Sequence, residues 1–284
     1  MNERRALASV HLGVLMFGMA ALVGKIVDTD PIRIVWWRSL FAAIAIGAAI
    51  LFADRRIVRP KRIGSLFVLG AILAAHWITF FAAMRIASVT IGLLGFATFP
   101  VFVAWIEPWL VPGERFRLSS VALAIVAASG VALLVPSFDL TDTFTLGAAT
   151  GVLSGLLYAI VVTTNRRLVA DTSALELGLW QNAAAVVWLT PFNLGVVVGL
   201  PTVRDLGLLI LLGVVLTGFA HVLFVHGMQK VSARNASIIG LLEPVYGVAA
   251  ASLLLGERAA LHTYVGGLVI LAAVTVASRT KVNA

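Results

Sequence analysis

A carboxylic acid near the middle of an apolar run is the sharpest chemical feature of this sequence. Glu243 falls near the centre of residues 233–255, and its neighbours one helical turn away, Ile239 and Gly247, offer it no partner. A charge at such a depth costs about 3 kcal/mol or more. The group is therefore protonated, faces water, or pairs with another segment, and Lys25, His221 and His226 are the partners that composition allows. Glu243 could hold an ammonium or carry a proton; the structural alternative is a hydrogen bond that locks its helix against a neighbour.

Two histidines join it. His76 and His221 lie within other apolar runs, and a neutral imidazole donates one hydrogen bond and accepts another. That suits a zwitterionic ligand, or equally a packing contact between helices. Trp77, Phe80, Phe96, Phe99, Tyr158 and Tyr246 supply rings for an aromatic-walled cavity, in which edge-on and offset contacts are favoured. Pro100 and Pro244 each interrupt an apolar run, releasing the carbonyls of Phe96 and Gly240; Gly92, Gly95 and Gly240 permit close backbone approach. These five are the expected kink or hinge positions.

Other polar residues read as topological. Lys25 and Arg38 are expected to snorkel from helix ends to the headgroups. Trp36, Trp37, Trp109 and Trp180 fit an interfacial belt, and His11, His226 and His262 are expected at the interface. The chain has no cysteine, and its five histidines show no metal-ligand spacing. No metal or other cofactor is expected.

The elements that position these residues follow from composition. The 284 residues are 61% hydrophobic and 12% charged, with a mean hydropathy of +1.03. Soluble domains are about half apolar and about a quarter charged, so the excess apolar surface faces lipid. Apolar runs long enough to cross a bilayer fall at 8–27, 33–53, 63–83, 88–110, 117–135, 145–165, 175–198, 204–226, 233–255 and 262–278. The first could pass for a signal peptide, but it lacks a small-residue cleavage site and reads as the first helix. The predicted fold is all-α: ten transmembrane helices with short loops and no soluble domain.

The net charge of +8 lies in those loops, so a membrane surface is expected as its partner rather than nucleic acid. With the N-terminus inside, one set of segments carries Arg4, Arg5, Arg55, Arg56, Arg59, Lys61, Arg62, Arg115, Arg117, Arg166, Arg167, Lys230, Arg234, Arg279 and Lys281. The other carries only Arg33, Arg85, Arg204 and Arg258. Lys and Arg gather on the cytoplasmic side, which predicts two cytoplasmic termini.

An internal repeat organises the runs. Residues 84–101 align without gaps on 228–245, pairing Met84 with Met228, Ser88 with Ser232 and Pro100 with Pro244; Gly113-Glu114-Arg115 follows as Gly256-Glu257-Arg258. Two halves of five helices, 1–140 and 141–284, are predicted. An odd number of helices inverts the second half around a central cavity. Inverted repeats with interrupted helices mark secondary transporters that bind substrate near the midplane. An enzyme would need paired acids or a Ser/His set, and a channel a continuous polar stripe; neither is found.

Leu241-Leu242-Glu243-Pro244-Val245 followed by Leu253-Leu254-Leu255-Gly256-Glu257-Arg258, with the first-half echo Phe99-Pro100-Val101 and Val111-Pro112-Gly113-Glu114-Arg115, resembles the EamA family of the drug/metabolite transporter superfamily. Lys230-Val231-Ser232-Ala233-Arg234-Asn235-Ala236 is similar to that family's turn into its ninth helix. Phe99 stands where the second half has Glu243, so a role for the acid is expected in one half only. The resemblance is greatest to the family's aromatic amino acid exporters of the YddG type. It implies export of amino acids by alternating access from a bacterial inner membrane, by a chain that works as a monomer with small-molecule substrate and lipid as partners. A proton-coupled exporter of drugs or other small metabolites is the rival. Sugar phosphates are disfavoured because the helix centres carry no cluster of basic residues.

Overall fold

The computed structural model describes residues 3–53, 56–57, 60, 62–111, 116, 118–133, 139–193 and 201–279. Its elements are α1 (Glu3–Ile26), α2 (Pro31–Phe52), α3 (Ile63–Ile86), α4 (Val89–Phe96), α5 (Phe99–Leu110), α6 (Leu118–Ala132), α7 (Thr143–Leu168), α8 (Ala174–Asn193) and α9 (Val203–Ile210). A π-helical segment (Leu211–Phe219) follows, then α10 (Ala220–Gly227), α11 (Ala233–Gly240), α12 (Leu242–Leu254) and α13 (Leu261–Arg279). Among the described residues there is no strand. Six helical stretches among the described residues are long and apolar enough to cross a membrane: α1, α2, α3, α4–α5, α7, and α9 through α10.

Local chemistry sets many of the boundaries. The first N–H groups of a helix have no partner in the helix itself. Asp30 takes one from Arg33, ahead of Pro31 in the first turn of α2; Ser88 takes one from Ile91; Asp142 takes one from Thr145. Ser173 and Glu176 form a reciprocal pair at the start of α8, with Ser173 N donating to Glu176 Oε2 at 3.0 Å and Glu176 N to Ser173 Oγ at 3.2 Å, a capping box. After α12, Gly256 adopts φ 67°, the left-handed conformation in which glycine ends helices without strain. The Glu257 carboxylate then crosses to the start of α4, accepting from Val89 N at 3.1 Å and Thr90 N at 3.2 Å. A negative charge there also suits the helix dipole.

Packing joins helices far apart in the sequence. α7 lies against α3, α4 and α5, while α1 lies against the π segment, α10, α11 and α12. α3 also packs on α8, and the π segment on α2; α2 meets α8, and α6 meets α13. Small residues bring these backbones together. Gly13 faces Ala220 and Phe224, and Gly227 faces Ala6 and Val10, so α1 and α10 run antiparallel.

Two cation–carbonyl bonds close the ends of the bundle. Lys25 Nζ donates to Met84 O at 2.7 Å, and Arg166 Nη1 donates to Met228 O at 2.8 Å. The acceptors are the two methionines aligned by the repeat, 144 residues apart (228 − 84). They occupy opposite ends of α1, because Gly227 lies beside Ala6 while Lys25 is in the last turn. Lys25 is thus tied to a backbone carbonyl and does not snorkel. Arg85 Nη2, beside it, donates to Val27 O.

The fourth, eighth and ninth apolar runs are subdivided. The fourth breaks at Ala97–Thr98, the ninth at Leu241, and the eighth winds into the π segment. The ends of the fifth and seventh runs lie outside the described residues, as do Arg55, Arg59, Lys61, Arg115, Arg117, Lys281 and the segment Pro112-Gly113-Glu114-Arg115.

A Cβ at position 151 would lie 2.8 Å from Gly92 O and 3.2 Å from Phe96 N. Both are backbone atoms that cannot turn aside. Gly151→Val is therefore expected to destabilise the α4–α7 contact by about 1–3 kcal/mol, read as a lowered thermal unfolding midpoint in detergent.

Candidate functional site

A small cavity, with about 30 Å³ of space for water-sized molecules, lies where α1, α2, α3, α4, α7, α10 and α12 converge. That is room for water and not for a molecule the size of an amino acid, so the walls must part before a larger ligand is held. Its polar lining is Arg38, His76, His221, Tyr158 and Glu243; Trp77, Phe80 and Phe96 supply aromatic walls, and Phe17, Ala20 and Leu73 complete it.

His76 is held by the α3–α7 crossing. Ser154 Oγ donates to His76 O at 3.1 Å, and His76 Nδ1 lies 2.8 Å from that same Oγ and 3.1 Å from Ser154 O. A hydroxyl has one proton. With that proton committed to His76 O, Nδ1 must carry the ring proton and donate. Nε2 is left as an acceptor. The ring stacks on Tyr158 at 4.8 Å between centroids, and Phe96 lies 5.5 Å away. Phe80 meets Phe96 edge-on at 5.1 Å.

Arg38 is the principal residue that the sequence reading misplaced. It is 2% exposed and lines the cavity, so it is no snorkelling residue. Its Nε donates to Thr217 Oγ1 at 2.9 Å, and its guanidinium carbon stands 4.0 Å over the Trp77 ring centroid. Thr217 in turn donates to Leu212 O, five residues back, at 2.6 Å. The π winding thus uses the Thr217 proton and leaves its oxygen free to accept from Arg38. Single π turns often sit at functional sites. A usable signal was depth: Arg38 is seven residues beyond Pro31, about 10 Å along the helix at 1.5 Å per residue.

Glu243 is 5% exposed. Among the described residues its carboxyl makes no hydrogen bond or ion pair, and neither Nη of Arg38 does so, although both side chains border the same cavity. A carboxyl and a guanidinium thus border the same cavity without contacting each other.

The remaining site residues fall as follows. Phe99 is fully buried behind the cavity, stacked on Phe96 at 5.0 Å and edge-on to Tyr158 at 5.1 Å. Tyr246, half-buried, packs its Cβ on Gly18; neither residue lines the cavity. Pro100 sits in the first turn of α5, where a missing N–H is harmless, and Pro244 is the third residue of α12. Gly92 packs on Met84, Gly95 on Ala148, and Gly240 against the Phe99 ring. His11 and His262 are exposed, and His226 half-buried. Trp36 is drawn away from a simple interfacial role by donating to Thr190 Oγ1 at 3.1 Å, whereas Trp109 is 84% exposed.

The sequence reading also passed over a buried amide pair, Gln181 Nε2 to Asn165 Oδ1 at 2.5 Å, and over Asn182. Two adjacent amides inside the seventh apolar run were the available signal, since polar groups at such depth are rarely idle.

A helical bundle with six stretches long and apolar enough to span a membrane, among the described residues, is that of a multi-pass membrane protein, and the family it belongs to is one of transporters. The profile of the EamA-like transporter family matches residues 4–135 and 145–279, and the chain belongs to that family. It is 27% identical over 273 residues to an uncharacterized transporter of Archaeoglobus fulgidus, covering 96% of each chain. It is 22% identical over 278 residues to the uncharacterized transporter YxxF of Bacillus subtilis, covering 95% of this chain and 88% of that one. A crystal structure with 14% identity matches over 100% of both chains with a TM-score of 0.73, which extends the likeness in fold. None of these names a substrate, so the likeness to aromatic amino acid exporters carries forward only as a proposal.

Ser154→Ala removes the acceptor that fixes the His76 ring and leaves only the Ser154 carbonyl for Nδ1–H. A loss of about 1 kcal/mol is expected, the scale of a hydrogen bond between membrane helices, measured as a lowered unfolding midpoint in detergent.

Proposed function

We propose that this protein is a secondary transporter exporting amino acids from a bacterial cytoplasm by alternating access. Its ten membrane helices form two inverted halves, 1–140 and 141–284, with both termini cytoplasmic. The observation that carries the reading is the buried Glu243 carboxyl, without a hydrogen-bond partner among the described residues, at a small aromatic cavity between the helices. An apolar bundle keeps such a group only at a cost, and a substrate ammonium is the ligand that would offset it. The bare Nε2 of His76 is a second acceptor for the same group. Aromatic walls accept both ring and aliphatic side chains.

Reciprocal packing supports the inversion. Each half's first helix lies against the third and fourth helices of the other, and the family profile falls in two stretches of similar length. The cation–carbonyl bonds at Met84 and Met228 lie toward opposite ends of α1, where gates of an alternating-access cycle would sit. The breaks at Ala97–Thr98 and at Leu241, each close to a proline, are the points about which the walls would rock.

Reconstituted protein should take up labelled tryptophan and threonine saturably, and Glu243→Gln should lower uptake efficiency about tenfold or more, the loss of one charge-assisted bond. Normal transport by that variant at every pH would remove the acid from the scheme. Failure of wild type to move either amino acid, with movement of a cationic drug instead, would favour the rival exporter.

The lack of cysteine gives a clean test of the gates, with Ala20→Cys as a reporter in the cavity wall. Added Lys25→Met should raise its labelling by an impermeant maleimide from the Lys25 face, and Arg166→Met from the opposite face, each about tenfold if one charged bond of about 1.5 kcal/mol biases the equilibrium. Equal labelling from both faces in both variants would exclude paired gates.

A further inference from the structure

The cavity of the proposed transporter holds a cation that the exporter reading does not require, and its surroundings form a built site. Arg38 is 2% exposed and, among the described residues lining the cavity, is the only permanent cation. Thr217 takes its Nε–H, and Trp77 covers the guanidinium at 4.0 Å. A ring over one face leaves the in-plane edge for hydrogen bonding. On that edge neither Nη group has a partner among the described residues. Two anchors thus fix the head group's position and leave its forked donors unused.

We propose that Arg38 is the receptor for the substrate's carboxylate, which makes the site a zwitterion clamp. This deepens the amino-acid reading and rests on it. A guanidinium fork matches a carboxylate in two parallel hydrogen bonds. The acceptors of the cavity, Glu243 and His76 Nε2, take the ammonium. One molecule carrying both groups satisfies both ends and leaves the site's net charge unchanged. A doubly charged phosphate would face one cation beside an acid, and a purely cationic drug would bring its charge towards Arg38. The clamp therefore selects on the substrate's two charged groups, and the aromatic walls leave the side chain free to vary.

The test is equilibrium binding to the full-length purified protein of three probes that share a ring: tryptophan, tryptamine, which lacks the carboxylate, and indole-3-propionate, which lacks the ammonium. Wild type should bind tryptophan at least tenfold more tightly than tryptamine. Arg38→Gln should weaken tryptophan tenfold or more and leave tryptamine unchanged or tighter, so that retained tryptamine binding reports a folded variant. Arg38→Lys, which keeps the charge but loses the fork, should fall between the two. Tryptophan binding to Arg38→Gln at wild-type affinity would overturn the carboxylate role alone. A wild type that prefers tryptamine would overturn the clamp without any variant. A wild type that binds none of the three would instead overturn the amino-acid reading on which the clamp rests. Should Arg38→Gln fail to fold, an Arg38→Lys variant with undiminished tryptophan affinity overturns it equally.

Discussion

Placing charge in an apolar bundle is the constraint on which the rest of this structure turns. Arg38 and Glu243 are both almost wholly buried, and withdrawing an ion from water costs several kcal/mol unless partners replace it. The surroundings of Arg38 supply part of that replacement. An accepting hydroxyl lies at its Nε, and that hydroxyl is oriented because α9 and α10 are joined through a π segment. An indole supplies the electron-rich face that a desolvated cation favours. The compensation stops short of direct pairing with Glu243. Had the two formed a salt bridge, the cavity would be electrostatically complete and would gain little from a ligand.

The scaffold keeps this incomplete site from collapsing or flooding. Glycines at the crossings of α1 with α10, and of α7 with α4, bring backbones into contact, so the walls are stiff helices at van der Waals distance. Stiff walls cannot open by small deformations. Under the proposed mechanism movement would be concentrated where the helices are already broken, at Ala97–Thr98 and at Leu241, and where a bond can be exchanged, at Lys25 and Arg166. A cavity of about 30 Å³ is too small to hold an amino acid, so under the proposed mechanism the walls part for substrate to bind.

Much of this was legible in the sequence because the bilayer imposes one-dimensional rules. Run length and hydropathy marked an all-helical apolar chain, of which six stretches among the described residues are long enough to span a membrane, and the offset of 144 residues identified Met84 and Met228 as counterparts before both carbonyls were found accepting hydrogen bonds from cationic side chains. What was not legible depended on rotation about a helix axis. Arg38 and Lys25 are both basic residues near the ends of apolar runs, and sequence position assigned them one fate. In the structure one turns inward onto Trp77 and the other reaches a neighbouring carbonyl. Phe99 and Tyr246 illustrate the same loss of information: each is adjacent to a cavity segment, yet one packs behind Phe96 and the other against Gly18. The π segment was hidden as well, since its register is fixed by Thr217 bonding five residues back and no composition signal marks it.

The division of labour inside the cavity has a further consequence for how such a site can be both tolerant and selective. Ring contacts are worth about 0.5–1.5 kcal/mol each beyond burial and vary little with the shape of the partner. Charge-assisted bonds are stronger and directional, and they are lost outright when one partner is missing. A wall built mainly of the first kind, with single donors and acceptors of the second kind fixed by α2, α3 and α12, discriminates by the charged groups that every member of a substrate class shares. Under the zwitterion reading, changing the rings should alter which side chains are preferred, whereas changing Arg38 or Glu243 should alter the chemical class admitted. The absence of an acid at Phe99, where the second half has Glu243, is consistent with this. A symmetric pair of carboxylates would draw two cations, and a zwitterion needs the asymmetry that an imperfect repeat provides.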